Sequence, residues 1–309
     1  MKNNVLTPDT RFLIVGLGLI GGCYAQGLSQ QGYEVAAIDP NPESLSFALD
    51  KGWIKEGYQA PDEHLSCYDI VILCLYPSLV SDWIRDNKPL LKKGAIITDT
   101  AGIKGLFVNE VQELLGKDAE FIGAHPMAGR EVSGVQNADV KIFHNANYIV
   151  TPTSKNTQKA IEIAKEIGEL LGFSTISTLT PEEHDRMISY LSQLTHVIAM
   201  ALMICEDNES YARYSGDSFR DLTRIAKIND ALWSELFLSN KGPLLESIDL
   251  FMKQMEEVKK QIQEGNVDAL REDMRLAKKR RLLFEKPKKN EDKRSYADEH
   301  GIQKKTSYS

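Results

Sequence analysis

Up to about residue 178, short apolar runs alternate with stretches whose apolar residues recur at steps of three and four. The runs at 11–16, 34–38, 69–75, 95–99, 121–124, 148–151 and 174–178 predict strands, and helices are expected at about 19–31, 42–51, 78–91, 104–116 and 156–171. A run such as Asp69-Ile-Val-Ile-Leu-Cys-Leu75 suits a strand covered on both faces, and regular strand–helix alternation predicts an α/β fold with a doubly wound parallel sheet. After Pro181 the strands stop. From there to about Phe284 the pattern is helical, opened by Thr180-Pro-Glu-Glu183, which reads as an N-cap, a proline at the first helical position and acids in the first turn.

The first strand leads into chemistry. Residues Arg11-Phe-Leu-Ile-Val-Gly-Leu-Gly-Leu-Ile-Gly-Gly22 carry an apolar strand into a Gly-x-Gly-x-x-Gly turn. Gly16 permits the tight turn, Gly18 lets the backbone approach a pyrophosphate, and Gly21 lets the next helix pack closely on the sheet. That helix begins near Leu19 and Ile20 and points its first N–H groups and positive dipole end at the phosphates. The next strand, Glu34-Val-Ala-Ala-Ile38, delivers Asp39, 18 residues past Gly21. An acid there hydrogen-bonds an adenine ribose 2′-hydroxyl and repels a 2′-phosphate, so the expectation is NAD, held by a Rossmann-type domain over residues 1–178. S-adenosylmethionine also uses a glycine turn and a ribose acid, but the x-x-Gly spacing favours a pyrophosphate.

Residues 179–285 are expected to form an all-helical domain. Met187, Leu191, Leu194, Ile198 and Ala201 make one apolar stripe, widened by Ile188, Val197 and Leu202 until the helix reads as buried on most sides. Leu244, Ile248, Phe251, Met255, Val258 and Ile262 make a second. So much apolar surface in so few residues points to a homodimer through this domain. Residues 286–309, rich in charge and poor in apolar residues, read as a disordered tail, and Lys278-Lys-Arg-Arg281 as a basic last turn that complements a helix dipole.

Composition narrows the partners. The 309 residues carry 42% hydrophobic residues, enough for two cored domains, and a net charge of −7 that argues against nucleic acid and anionic membrane. No stretch reaches ~18 consecutive apolar residues, and the first residues lack the apolar core of a signal peptide, so the chain is expected to be cytoplasmic. Cys23, Cys67, Cys74 and Cys205 show no Cys-x-x-Cys pairing, which favours reduced thiols over a disulfide framework or a metal site.

Three constellations follow the cofactor turn. In Gly123-Ala-His-Pro-Met-Ala-Gly-Arg-Glu-Val-Ser-Gly134 a strand ends directly at His125, which places an imidazole at the carboxyl edge of the sheet, suited to taking a hydroxyl proton as hydride leaves the same carbon. In Ser192-Gln-Leu-Thr-His196, the histidine, one turn from Gln193 on an apolar helix, needs a polar partner, which a bound anion would supply. The nearby pair His184-Asp185 has a metal-site look, but no further His/Asp set stands at ligand spacing, and no metal is expected. In Gly216-Asp-Ser-Phe-Arg-Asp-Leu-Thr-Arg-Ile-Ala226, Arg220 and Arg224 are four apart on one helical face, able either to clamp a carboxylate or to pair with Asp217 and Asp221 on the surface.

In order and spacing these segments, together with Thr98-Asp-Thr-Ala-Gly-Ile-Lys104 and Glu183-His-Asp185, resemble the prephenate and arogenate dehydrogenases of tyrosine biosynthesis, from about residue 11 to 245. The resemblance implies NAD-dependent oxidative decarboxylation of prephenate to 4-hydroxyphenylpyruvate. It implies His125 as the catalytic histidine, His196 as a second substrate-site histidine, Arg224 as the carboxylate-binding arginine and Glu131 as an acid at the mouth of the site. Gln193 stands in the substrate site where many relatives have a histidine. Dimerisation through the helical domain is implied too, with Asp221 and Trp233 near the interface. The chain departs from the family pattern in reading Ala101-Gly102 where Gly-Ser is common, in Thr195 for a proline, and in Asp217 and Arg130. Other readings are an arogenate dehydrogenase, a β-hydroxyacid dehydrogenase anchored on Lys104, and a non-enzymatic NADH sensor.

Overall fold

The computed structural model describes residues 5–130, 132–207 and 209–285; Glu131 and the tail from residue 286 lie outside the described residues. Residues up to Ile248 and those from Asp249 form two compact units.

The first unit is built on an eight-stranded sheet: β1 (Arg11–Val15), β2 (Glu34–Ile38), β3 (Glu56–Tyr58), β4 (Ile70–Leu73), β5 (Ile96–Asp99), β6 (Glu120–Met127), β7 (Asn147–Thr151) and β8 (Thr175–Thr178), in the order β3-β2-β1-β4-β5-β6-β7-β8. Successive side chains of a strand point to opposite faces. Phe12 and Ile14 therefore enter one core, shared with α1 (Leu19–Gln30) and α5 (Gln158–Leu170). Leu13 and Val15 enter another, shared with α3 (Pro77–Asn87) and α4 (Val108–Leu115); α2 (Pro42–Asp50) lies between β2 and β3 in the chain. The chain order reverses between β1 and β4, and a ligand crevice opens at such a point beyond the carboxyl ends of the strands.

The doubly wound sheet agrees with the sequence pattern except at its end. The pairs from β3 through β6 are parallel, but β7 runs antiparallel to β6, and β8 follows β7 in parallel. A parallel connection needs a crossover element, and the described residues of 128–146 form only loops and short 3₁₀ turns. Those turns lie over α1, where Gln26 Oε1 accepts the Val140 N–H at 2.7 Å. The three-residue edge strand β3 is too short to show a period, and the sequence gives no sign of it.

The chain then becomes helical, through α6 (Pro181–Ile188), α7 (Leu194–Ile204), α8 (Asp217–Thr223), α9 (Asp230–Ser239) and α10 (Lys241–Glu264). Thr180 and Glu183 cap α6 reciprocally: the Glu183 N–H donates to Thr180 Oγ1 at 3.1 Å and the Thr180 N–H to Glu183 Oε2 at 2.9 Å. Between α6 and α7, Ser189–Gln193 form one wide π turn without breaking the helix. The expected burial of this helix is not met within one chain. Only Leu194 and Ala199 of α7 are buried, whereas Met203 is 46% and Ile204 75% exposed. Apolar periodicity reports that a face is to be covered without saying by which molecule.

By length and composition the run Pro181–Ile204 could cross a membrane, but its first turns carry the buried His184 and Asp185. In the second unit the end of α10 meets α11 (Val267–Leu282) through Gly265 at φ +65°, and Gln261 Nε2 donates to Asp273 Oδ2 at 3.0 Å. Met255 and Ile262, read as members of a packed stripe, are exposed there too.

Candidate active site

The turn after β1 has the geometry a dinucleotide requires. Gly16 adopts φ +93°, and a Cβ on it would sit 2.6 Å from the Cys74 carbonyl oxygen. A Cβ on Gly21 would lie 1.9 Å from the Gly16 carbonyl oxygen, so only glycine lets α1 start this close to the strand. Gly18 faces open space, and as N-cap of α1 it brings no side chain to the first-turn N–H groups, including those of Leu19 and Ile20. The cradle thus fits a pyrophosphate. Asp39 follows β2 beside this turn: its Oδ2 accepts the Leu17 N–H at 2.6 Å and its Oδ1 the Asn41 N–H at 2.8 Å. Fixed there, the carboxylate is placed for a ribose hydroxyl. Replacing Asp39 with alanine is expected to narrow the preference for NAD over NADP in paired binding titrations; an unaltered ratio would assign ribose recognition to another residue.

Across the switch point, the ends of β5 and β6 are tied by a buried ion pair. Lys104 Nζ donates to Asp99 Oδ2 at 2.5 Å, to the Ala101 carbonyl at 2.9 Å and to the Ala124 carbonyl at 2.6 Å, which uses all three ammonium protons. Asp99 also accepts the Ala101 and Ala124 N–H groups. Burial pushes Asp99 up and Lys104 down, and each partner's charge opposes the shift in the other. Five hydrogen bonds, together with the attraction of the two charges, work against that burial. Lys104 is fully buried and is not a substrate anchor, which removes the feature a β-hydroxyacid dehydrogenase reading needs.

One residue beyond this tie stands His125. It lies within β6 rather than at its end, because pairing with β7 (His125 opposite Ile149) prolongs the strand past the point where β5 stops. Relative to the parallel part of the sheet it still stands beyond the carboxyl edge, half-buried. Its Nδ1 is 2.9 Å from His184 Nε2, and His184 Nδ1 is 2.7 Å from Asp185 Oδ1. Asp185 in turn accepts the Lys104 N–H on Oδ1 and the Gly105 N–H on Oδ2. Burial above all, then His184 and Lys104, hold His125 well below the usual imidazole range, so it is neutral near pH 7 and available as a base.

The other ring nitrogen, Nε2, lies beside Gly102, where a Cβ would be 3.8 Å from it and 3.5 Å from Leu236. The absent serine therefore leaves room next to Nε2.

Helix α9 links this nitrogen to the second histidine. Leu236 borders Gly102, and its carbonyl accepts from Gln193 Nε2 at 2.8 Å, while Gln193 Oε1 accepts from Asn240 Nδ2 at 2.7 Å. One turn earlier on α9, Trp233 stacks on the His196 ring with centroids 3.5 Å apart, and His196 Nδ1 donates to the Ser192 carbonyl at 2.8 Å. Gln193 is thus buried and held by protein partners, not poised for an anion.

Arg220 and Arg224 lie on successive elements. Helix α8 ends at Thr223, and Arg224 opens a 3₁₀ turn that packs beside α7. Arg220 is taken by Asp217 at 2.5 Å and by the Ser215 carbonyl, the surface-pair alternative. Arg130 lies 3.8 Å from Asp139. The sequence undervalued His184 and Asp185, whose adjacency after the Thr180 cap was the available signal.

A Gly-x-Gly-x-x-Gly cradle, an acid fixed beside it and a neutral histidine beyond the sheet edge fit an NAD-dependent dehydrogenase with a helical second domain. Residues 24–177 match the family profile described as prephenate dehydrogenase, nucleotide-binding domain, and residues 180–276 match prephenate dehydrogenase, dimerization domain. The chain belongs to the prephenate dehydrogenase family. It is 30% identical to the prephenate dehydrogenase of Lactococcus lactis over 89% of this chain and 77% of that one. The Aquifex aeolicus prephenate dehydrogenase, solved with hydroxyphenyl propionate and NAD+, superposes with TM-score 0.83 at 31% identity, covering 91% of this chain and 99% of that one. Synechocystis arogenate dehydrogenase gives 0.78 at 25% identity, covering 89% and 100%.

Proposed function

We propose that this chain catalyses the NAD-dependent oxidative decarboxylation of prephenate to 4-hydroxyphenylpyruvate, as a cytoplasmic homodimer. The observation that carries the reading is the placement of a neutral His125 beyond the sheet edge, with Nε2 toward the open position at Gly102. NAD bound at the Gly16–Gly21 turn would supply the hydride acceptor. His125 takes the ring hydroxyl proton, and departure of the ring carboxylate then aromatises the product, so the protein's work is alignment and charge handling. His196, held against Trp233, and Arg224, beside the same helix, would bind the substrate's anionic side. Glu131 is assigned to the mouth of the site by resemblance alone. A second copy on the exposed apolar residues of α7, among them Met203 and Ile204, would complete the helical domain, as the dimerization-domain match supports.

The test is NADH production with prephenate and arogenate offered separately. Turnover of prephenate supports the reading, and turnover of arogenate alone moves the chain to the sister activity, the alternative favoured by the Synechocystis superposition. Arg224→Ala should raise the Michaelis constant for prephenate roughly 10- to 150-fold, the worth of about 1.5–3 kcal/mol for a hydrogen bond to a charged group. A change confined to thermal stability would instead place Arg224 in the interface.

A further inference from the structure

Behind His125 the hydrogen-bond chain has a fixed polarity. Asp185 accepts three bonds, from the Lys104 N–H, the Gly105 N–H and His184 Nδ1, which leaves it no role but that of a carboxylate acceptor. His184 must then carry its proton on Nδ1, and in the neutral ring Nε2 becomes an acceptor. The only donor that satisfies the 2.9 Å contact is an Nδ1–H on His125. The lone pair of His125 is thereby placed on Nε2, the nitrogen that borders Gly102. The carboxylate is itself immobilised, because the Asn240 side chain holds the Asp185 carbonyl at 2.9 Å and the Lys104 backbone is locked by its own ion pair.

We propose that His184 is a positioning residue and second proton station, so that Asp185, His184 and His125 form a relay that stores the substrate's hydroxyl proton during the reaction and returns it. The inference rests on His125 being the base of the reaction proposed above. The substrate O–H bond breaks and an N–H bond forms at His125 Nε2; the freed O–H electron pair closes the C=O bond as the C–H pair leaves with the hydride to NAD. The proton on His125 Nδ1 moves to His184 Nε2, leaving His125 neutral and His184 an imidazolium against the Asp185 carboxylate. When carbon dioxide departs, its bonding pair enters the ring and the carbonyl oxygen becomes a phenolate. Both transfers then reverse and the phenol is formed, so no proton is released overall. The charged groups facing the two rings are Asp185 on the helix of His184, and Lys104 and Asp99 on the segment after β5, paired with each other. The Asp185 carboxylate stabilises charge on His184, and among the described residues no carboxylate bonds His125 directly.

Two measurements test this. In the wild-type protein, nitrogen-15 spectra of labelled histidine should show His125 protonated on Nδ1; protonation on Nε2 overturns the relay without any variant. His184→Gln can still accept from His125 but cannot take up a proton. It should lose about tenfold or more in kcat with prephenate while NAD affinity holds, and the acidic limb of kcat/KM should shift because the proton is no longer shared between two rings. Unchanged kcat with an unmoved limb overturns the proposal. His125→Asn separates the two readings: if it abolishes turnover while His184→Gln changes nothing, only the relay fails, and if it leaves turnover intact the base assignment fails with it.

Discussion

His125→Asn is expected to lower turnover of prephenate by about 10²- to 10⁴-fold, the usual worth of a positioned general base, and to leave NAD affinity unchanged. Asparagine is a demanding test because its amide N–H₂ can still donate to His184 Nε2, so the link to α6 survives. What is removed is the lone pair on the far side of the ring, beside Gly102. The cofactor turn lies on β1 and α1, whereas His125 lies on β6, so a binding titration with NAD reports whether the sheet edge is intact. Turnover near the wild-type rate would remove His125 from the chemistry. Joint loss of turnover and NAD binding would mark the residue as structural.

Lys104→Met should be the most destabilising single change at the site. It removes the cation from a fully buried pair and leaves Asp99 charged and unmatched, at a cost of about 3–5 kcal/mol. For a unit of this size that is a fall of roughly 6–20 °C in melting temperature. Two carbonyls, of Ala101 and Ala124, also lose their donor. Ala124 is the residue before His125, so kcat should fall with stability. Pairing the change with Asp99→Leu should recover part of the loss, since the lone charge is gone, but not all of it. The Ala101 and Ala124 N–H groups that Asp99 accepts would then be unmatched at about 1–3 kcal/mol each. Denaturant unfolding of the two single variants and the double variant measures this; equal stability of Lys104→Met and wild type would show that the pair contributes nothing.

Much of this was legible in residue order. Gly16, Gly18, Gly21 and Asp39 announce their role because each answers a local steric or electrostatic demand, and local demands leave fixed spacings. The strands buried on both faces were legible for the same reason. The reversed direction of β7 was written as an omission, a gap of loops where a crossover helix belonged. Contacts between distant segments left no such trace. His184 and Asp185 read as a stray pair because their partners, His125 and Lys104, lie about 60 and 80 residues away in the chain, brought close only by the sheet. For Arg220 the sequence left a carboxylate clamp and a surface pair open, and the structure shows the pair with Asp217.

The wide turn at Ser189–Gln193 stores a phase. In an unbroken α-helix at about 100° per residue, the twelve steps from His184 to His196 would leave the two rings about 120° apart around the axis. A turn that absorbs one surplus residue takes back about 100°, and returns His196 to within about 20° of the line of His184. Closing the turn to regular helix with all its residues kept would swing His196 about 100° away from Trp233, whereas deleting one residue leaves eleven regular steps and the same offset of about 20°. The wide turn thus works as slack in the helix: it takes up a surplus residue, so that the two histidines keep one line whether eleven or twelve steps separate them.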